Sequence, residues 1–438
     1  MLGILIFLIY FLLVYFSYRS LKKTKLLNLS FSGGVLIGLI YFLAIPLFFI
    51  LIIPDLHDPG IFVSSYNPYE DIKTTLNLYL GWVVVLIAQN SENHSMKNKS
   101  NDNTMDFNRY YLNPVKIVWT LLGFYLFISL YNGISTGMFS DGRHWHDSTR
   151  NDGALFIIMN NFANTYRVTF FGCVLYLLER GLFNRKNAIL LVLALTMYDV
   201  FVSFNRITAV YFIIFNVIVF RKNILILIAL AIPFIPLLVH VSSVWTWFRG
   251  AASVGGYSIS GFIQTWQDVS DRYEAAAGGF IYQLNSIFES SNILVFHGIV
   301  ENVGGMIPVF YGKTFIIRPL TTFIPSSIWT DKPKVFGVYM GEYINGMSGL
   351  ALNSTLFGEA YANFLYLWPV LLLCALLGFS WVYRRLSFYM PCLSTMSIFI
   401  GISLWRFDMN FTVASLYSLV AISVFVKVVL GRKLVWGK

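Results

Sequence analysis

Long apolar runs, separated by short polar segments that carry Lys or Arg, dominate the pattern along the chain. A run that crosses a bilayer as a helix needs about 20 mostly apolar residues, and a cytoplasmic turn carries an excess of basic side chains. The pattern predicts about 11 membrane spans, with the N-terminus outside and the C-terminus inside. The predicted spans cover residues 1–16, 33–53, 76–88, 115–130, 154–178, 188–202, 208–220, 224–241, 361–382, 390–404 and 411–429.

One segment between spans is far longer than an ordinary connection. Residues 242–357 lie on the predicted outer side, and loops of this length are usually functional or folded in their own right. Within it, residues 293–310 and 315–329 are apolar enough to lie at the membrane interface or to re-enter the bilayer. The sequence therefore predicts three parts: a bundle of about eight spans (1–241), a large outer loop (242–357) and a C-terminal group of spans (358–438).

The connection after the third predicted span is strongly polar. Residues 89–111 are rich in Asn, Ser and Lys, a composition that cannot bury a core. We expect these residues to form a mobile cytoplasmic loop.

Composition agrees with an integral membrane protein. Hydrophobic residues make up 57% of the chain and charged residues 12%, about half the charged fraction of a soluble domain. The net charge of +10 fits cytoplasmic turns that orient the protein, so we do not expect a nucleic-acid partner. No GxxxxGK[ST] motif occurs, which argues against an ATP-driven pump.

Several basic residues lie on the predicted outer face, although Lys and Arg are normally concentrated on the cytoplasmic side of a membrane protein. The guanidinium of an arginine can donate two parallel hydrogen bonds to the oxygens of one phosphate group. Our preferred interpretation is therefore that these basic residues bind a shared anionic ligand. The alternative is that they reach lipid phosphates or pair with nearby acids. Arg167 is a special case, because it lies within an apolar run and an intramembrane charge is a functional candidate by default. The main candidates are Arg167, Arg206, Arg272, Arg318, Lys332 and Lys334.

Three side chains are candidates for acid–base chemistry. Glu359 opens the ninth span among apolar residues, where an acid of raised pKa can act as a general base. It can equally stabilise the N-terminus of its helix. Asp331 and His297 are secondary candidates, and Asp331 can simply form a turn with Lys332. His144 and His146 have no third ligand nearby, so we predict no metal.

Two stretches, IPSSIWTDKPKVFG and NSTLFGEAYANF, resemble the O-antigen polymerase (Wzy) family. The family pattern has a proline and a bulky residue before Asp-Lys-Pro, here within Pro325–Pro333. It then has a Gly-Glu-x-Tyr-x-Asn-Phe run entering a late span, here Gly358–Phe364. An arginine at the outer tip of a hairpin of two spans, here Arg206, also fits the family pattern. The predicted topology matches that of the family along nearly the whole chain. The sequence departs from the pattern after Phe364, where a glycine is expected.

The resemblance implies a polymerase of lipid-linked oligosaccharide repeat units in the bacterial inner membrane, acting on its periplasmic face. Such enzymes move a growing glycan from undecaprenyl diphosphate onto a new undecaprenyl-diphosphate-linked repeat unit. It implies an all-helical fold like that of GT-C membrane glycosyltransferases, and no cofactor. Membrane lipid and a chain-length regulator protein are further candidate partners.

The resemblance also gives the candidate residues their roles. Arg206, Arg272 and Arg318 would bind the diphosphate, followed by Lys332, Lys334 and Arg167. Glu359 would be the base, with Asp331 or His297 as alternatives. An O-antigen ligase would handle the same donor, and a lipid-linked oligosaccharide flippase is the rival from another class. The clustering of cations beside a long loop argues against transport.

Overall fold

The fold was examined in a computed structural model, which describes residues 2–23, 30–58, 61, 65–99, 119, 122–123, 125–127, 130–131, 154–201, 207–221, 233, 235–255, 259–275, 289–324, 328–348, 350–387 and 392–425. These residues are helical apart from turns and two isolated bridges. The α-helices are α1 Leu2–Lys23, α2 Phe31–Leu39, α3 Ile45–Ile52, α4 Ile72–Lys99, α5 Ala154–Glu179, α6 Arg185–Phe201, α7 Ile207–Val219, α8 Ile235–Gly255, α9 Ile259–Ala275, α10 Ser291–Asn302, α11 Arg318–Leu320, α12 Phe336–Asn345, α13 Leu356–Phe364, α14 Trp368–Ser387, α15 Leu393–Ser403 and α16 Met409–Phe425. Wider π-helical turns, Ile40–Ala44 and Lys313–Ile317, precede α3 and α11.

The predicted all-α membrane class is confirmed in its coarser form. Among the described residues, four stretches are long and apolar enough to cross a membrane: Leu2–Lys22, Phe31–Ile52, Ile72–His94 and Leu356–Ser387. The number of eleven spans and the GT-C-like arrangement stay predictions.

The contacts divide the chain into two compact units. Unit 1 comprises Met1–Pro114 and Glu289–Lys438, and unit 2 comprises Val115–Phe288. This division follows packing, whereas the predicted boundaries at 242 and 358 follow membrane sidedness and stay a prediction.

Glycines bring two helices of unit 1 into backbone contact. Gly34 and Gly38 lie one turn apart on α2, and Gly401 lies on α15. A β-carbon on Gly34 would lie 2.0 Å from the carbonyl oxygen of Ile398, so only glycine permits this approach. Small residues four apart are the usual means by which membrane helices pack closely. Trp405 closes the interface by donating its indole N–H to the carbonyl of Val35 over 2.7 Å.

Part of the predicted polar loop is helical, because α4 continues to Lys99, and residues 100–111 of that loop lie outside the described residues. Glu92, inside the predicted loop, is buried and accepts a hydrogen bond from the backbone N–H of Ser32 over 3.3 Å. Ser32 lies in the first turn of α2, where a carboxylate stabilises the exposed amides of a helix N-terminus. Tertiary contact therefore extends a helix through a sequence whose composition predicts none.

Two apolar pieces of the predicted outer loop are folded into unit 1. Helix α10 is buried on nearly every side, since it packs against α4, α12 and α13. Its 12 residues are too few to cross a bilayer, which explains an apolar run that is not a span.

The predicted ninth span is broken. Helix α13 ends at Phe364, a 3₁₀ turn covers Leu365–Leu367, and α14 begins at Trp368. Leu365 has a φ of 48°, and a positive φ is uncommon for any residue other than glycine. The break places the N-terminal piece of this segment in the interior of unit 1.

Candidate functional site

Glu359 lies in the first turn of α13 but stabilises a different helix. Thr355 caps α13 instead, accepting a hydrogen bond from the N–H of Gly358 over 3.3 Å. The side chain of Glu359 is 2% exposed, and its Oε2 accepts the backbone N–H of Met409 over 2.8 Å. Met409 is the first residue of α16, so the carboxylate binds the positive end of that helix.

Asp408 immediately precedes α16 and lies beside Glu359. Its carboxylate accepts backbone hydrogen bonds from Asn410 and Phe411, as an N-cap residue does, and a third from Phe336 at the start of α12. Burial raises the pKa of the Asp408 carboxyl, against the opposing effects of Arg318 and of these amides. The N-termini of α12 and α16 therefore converge on two neighbouring carboxyl groups.

Arg318, the first residue of α11, approaches this pair directly after the π turn Lys313–Ile317. Arg318 as a whole is half-buried, and its guanidinium interacts electrostatically with Asp408. Burial lowers the pKa of Arg318, although a guanidinium remains charged in proteins. Its Nε and Nη1 are buried and have no hydrogen-bond partner among the described residues. Two nitrogen atoms of this cation thus lack an acceptor in the described part of the chain.

Lys332 adds a second cation next to Arg318. Its Nζ donates to the carbonyls of Thr322, over 3.1 Å, and Ile324, over 2.6 Å, which fixes the turn after α11. Burial, followed by the nearby charge of Arg318, lowers the pKa of Lys332 to about 8. Thr322 in turn hydrogen-bonds the side chain of Asn410 on α16.

Unsatisfied acceptors lie on α13. Asn363, one turn after Glu359, donates its two amide hydrogens to Thr314 Oγ1 and to the Glu359 carbonyl, both over 2.7 Å. Its Oδ1 is buried and accepts no hydrogen bond among the described residues. Oε1 of Glu359 meets no donor of acceptable geometry there either, although the Thr314 hydroxyl interacts with this carboxyl. We call Arg318, Lys332, Glu359, Asn363 and Asp408 the polar centre.

Lys334 and Asp331 lie near this region in sequence but have other surroundings. Lys334 forms an exposed ion pair with Glu342 on α12, and this hydrogen bond raises the pKa of Lys334. Asp331 is exposed in the turn before α12. The structure brings neither side chain into the polar centre.

His297 belongs to a separate buried cluster between α10 and α4. Its Nδ1 shares a hydrogen bond with the hydroxyl of Thr74 over 2.9 Å, and its Nε2 is 3.9 Å from Asp71 Oδ2. Burial lowers the pKa of His297, so the neutral ring is favoured. This arrangement joins two helices of unit 1.

Arg167 in unit 2 forms an ion pair with a buried aspartate. Its Nε donates to Asp199 Oδ2 over 2.6 Å, and both side chains are buried. Tyr125 and Thr208 also donate to the same carboxylate. The guanidinium carbon lies 5.6 Å from the centre of the Tyr125 ring. Asp199 on α6 thus joins its own helix to three other helical segments.

The remaining predicted phosphate ligands cannot be compared with this geometry. Arg206 lies outside the described residues, and Arg272 lies in α9 where its side chain is not among those described. Within the described ranges, no three side chains of the metal-binding types come together.

Sequence reasoning singled out Glu359, Arg318 and Lys332 but gave no role to Asp408, Asn363 or Asp199. Asp408 had a usable signal, since an aspartate directly before an apolar run is typical of an N-cap. Asp199 had another, because it is an acid inside a predicted span. Asn363 had none beyond its place in the motif.

No family model, curated protein or solved structure matches this chain. Functional inference therefore rests on the geometry of the polar centre and on the sequence.

Proposed function

We propose that this protein is a polymerase of lipid-linked oligosaccharide repeat units. It transfers a growing glycan from undecaprenyl diphosphate to a new undecaprenyl-diphosphate-linked unit. In this proposal it works in the bacterial inner membrane with its active face toward the periplasm, through an arrangement of about eleven spans like that of the GT-C enzymes.

The proposal rests on the polar centre, which contains both donors and acceptors without hydrogen-bond partners among the described residues. Arg318 offers two buried donor nitrogens that have no acceptor in the part of the chain that the structure describes. Glu359 and Asn363, one turn apart on α13, offer buried oxygens for which the described residues supply no well-placed donor. A buried polar atom without a partner costs free energy, so a ligand that supplies both an anion and hydroxyl groups would bind favourably. A sugar joined to a diphosphate has this combination.

Arg318 and Lys332 would act on the leaving group. In the reaction a hydroxyl oxygen of the acceptor sugar bonds to the anomeric carbon of the donor glycan. The bond from that carbon to the diphosphate oxygen breaks, and the diphosphate leaves with the electron pair. Fixed cations stabilise the negative charge that develops there, and they need no reorganisation at the moment of reaction.

Glu359 would accept the proton of the attacking hydroxyl. Its Oε2 is held by the Met409 amide, which leaves Oε1 as the basic atom. Asp408 would set the charge beside it and connect it to Arg318. Arg206 and Arg272 remain candidate diphosphate ligands from the sequence alone.

The test is a deletion strain whose surface polysaccharide is separated on a gel beside that of the parent strain. A ladder that collapses to a single repeat unit on its acceptor is the expected result, because one unit is still flipped and attached. Loss of all attached glycan while long polymer accumulates on the lipid carrier would identify a ligase instead. Single lipid-linked units trapped on the cytoplasmic side would identify a flippase.

A further inference from the structure

Helix α12 begins at the polar centre and leads away from it. The backbone N–H of Phe336, its first residue, donates to the Asp408 carboxylate. Tyr339 and Tyr343 follow on the same helix, about 4.5 Å and about 10.5 Å further along its axis. The Tyr339 hydroxyl is also within electrostatic reach of Arg318. A ligand held at the polar centre can therefore extend along this helix.

The rings of Tyr339 and Tyr343, which we call the tyrosine pair, form one aromatic surface. Their planes are nearly parallel, 19° apart, and their centres are 6.3 Å apart. The buried ring of Phe310 contacts both, with its centre 5.0 Å from that of Tyr339 and 6.5 Å from that of Tyr343. The backbone N–H of Phe310 donates to the carbonyl of Ala362 over 3.0 Å, which ties this surface to α13, the helix of Glu359.

The tyrosine pair is accessible to a ligand. Tyr343 is 43% exposed and Tyr339 is half-buried. The ion pair of Lys334 and Glu342 lies beside the rings, since Lys334 is within electrostatic reach of both tyrosine hydroxyls. The side chains of this ion pair are 53% and 25% exposed. Because exposed charges need water, this face of α12 meets an aqueous phase and not lipid tails.

The combination of aromatic rings and an exposed ion pair suits a sugar. A pyranose ring presents an apolar face of C–H groups, which stacks on the electron-rich face of an aromatic ring. Its hydroxyl groups can accept from Lys334 and donate to Glu342, and such charge-assisted hydrogen bonds are stronger than neutral ones. A lipid tail would use the rings but not the ion pair. A phosphate group would use Lys334 but would be repelled by Glu342.

We infer that the tyrosine pair binds a pyranose ring of the lipid-linked glycan whose diphosphate lies at the polar centre, with Lys334 and Glu342 hydrogen-bonding its hydroxyl groups. The inference rests on the proposed function and adds the surface on which the sugar is held. It places Lys334 beside the sugar and not at the diphosphate.

The test measures binding of a lipid-free oligosaccharide to the full chain in nanodiscs, by saturation-transfer NMR titration. The probe is the single repeat unit obtained by partial acid hydrolysis of the parent strain's surface polysaccharide. We expect Tyr343→Ala to raise the dissociation constant about three- to tenfold, the effect of losing one stacked ring. Tyr343→Phe keeps the ring and should bind like the wild type. Equal affinity of Tyr343→Ala and the wild type, or no binding by the wild type, would overturn the inference.

Two further variants locate the surface. Tyr366→Ala is the matched control, since Tyr366 is 91% exposed but lies in the turn between α13 and α14, outside α12. It should bind like the wild type, and an equal loss in this variant would count against the tyrosine pair. Lys334→Met should weaken binding about threefold through the loss of one hydrogen bond. An exposed ion pair adds little to stability, so this variant tests the surface even if Tyr343→Ala fails to fold.

The polysaccharide gel of the deletion strain judges the proposed function separately. A collapsed ladder in that strain together with full affinity in Tyr343→Ala would remove this inference alone. An unchanged ladder would remove the polymerase, and the titration would still decide whether the tyrosine pair holds a sugar.

Discussion

Arg167 in unit 2 and Arg318 in unit 1 are both arginines in apolar surroundings, yet their partners differ. Arg167 donates directly to Asp199, which also accepts from Tyr125 and Thr208. Arg318 has Asp408 nearby, but that carboxylate is occupied by the amides of two helix N-termini. Two guanidinium nitrogens of Arg318 have no hydrogen-bond partner within the described ranges. The difference shows that burial of a charge does not by itself indicate function. What matters is whether the surrounding acceptors are sufficient.

The physical reason lies in desolvation. A buried ion pair returns the free energy lost with water only when its remaining lone pairs and protons are also hydrogen-bonded. Asp199 with Arg167, Tyr125 and Thr208, which we call the Asp199 cluster, meets that condition through hydrogen bonds among its own side chains. This is typical of a network with a structural role. The polar centre does not meet that condition among the described residues, and it is the better candidate for ligand binding.

The largest effect is expected at Arg318. Arg318→Ala should reduce polymer by roughly 10³-fold while the protein still inserts, because removal of a cation aimed at the leaving group costs transition-state stabilisation. The measurement is the polysaccharide ladder in the deletion strain carrying the variant. Lys313→Ala is the matched control, since Lys313 is an exposed cation at the start of the π turn that precedes Arg318. Normal polymer in Arg318→Ala would exclude its phosphate role.

Glu359→Gln should come next, with a loss of turnover of roughly 10²-fold. The amide oxygen can still accept the N–H of Met409, so the contact between α13 and α16 is kept while the basic atom is lost. Binding of the lipid-linked substrate should persist, and both quantities are measured on purified protein. Glu301→Gln, an exposed acid at the end of α10, is the control. If turnover does not change, Glu359 only stabilises the N-terminus of α16.

Variants of the Asp199 cluster should affect folding more than chemistry. Asp199→Asn leaves Arg167 as an uncompensated charge, and we expect the yield of folded protein to fall several-fold. The double variant Arg167→Met with Asp199→Leu removes both charges and should restore yield and polymer. A double variant that folds but makes no polymer would assign Arg167 to the diphosphate and would remove the contrast with Arg318.

The smallest effect concerns Lys332 and pH. Its pKa is lowered to about 8, so it loses its proton as pH rises through that value while Arg318 stays charged. Affinity for the anionic donor should therefore fall about threefold between pH 7 and pH 9, a modest change because solvent screens a half-exposed charge. Lys332→Arg should remove this decline in a binding titration. A pH profile that the substitution leaves unchanged would show that Lys332 serves the turn after α11 and not the ligand.

The sequence by itself determined the class of the protein. A long apolar run in lipid has no water to bind its backbone N–H and C=O groups, and an α-helix satisfies these groups within the run itself. It also pointed to Glu359, Arg318 and Lys332. A charged side chain next to an apolar segment costs free energy of desolvation, so its presence there suggests a function. Local pattern could not show that α4 continues past Gln89, since Glu92 is stabilised there by a helix distant in sequence. It could not show the break at Leu365, where packing holds a non-glycine residue at a positive φ.

Only the tertiary structure decided which charged residues are satisfied. Glu359 and Asp408 lie far apart in sequence, yet they share the N-terminus of α16. Arg167 and Asp199 meet because α5 and α6 pack together. Whether a polar group is left without a partner depends on the sum of its neighbours in space, and most of those neighbours come from other parts of the chain.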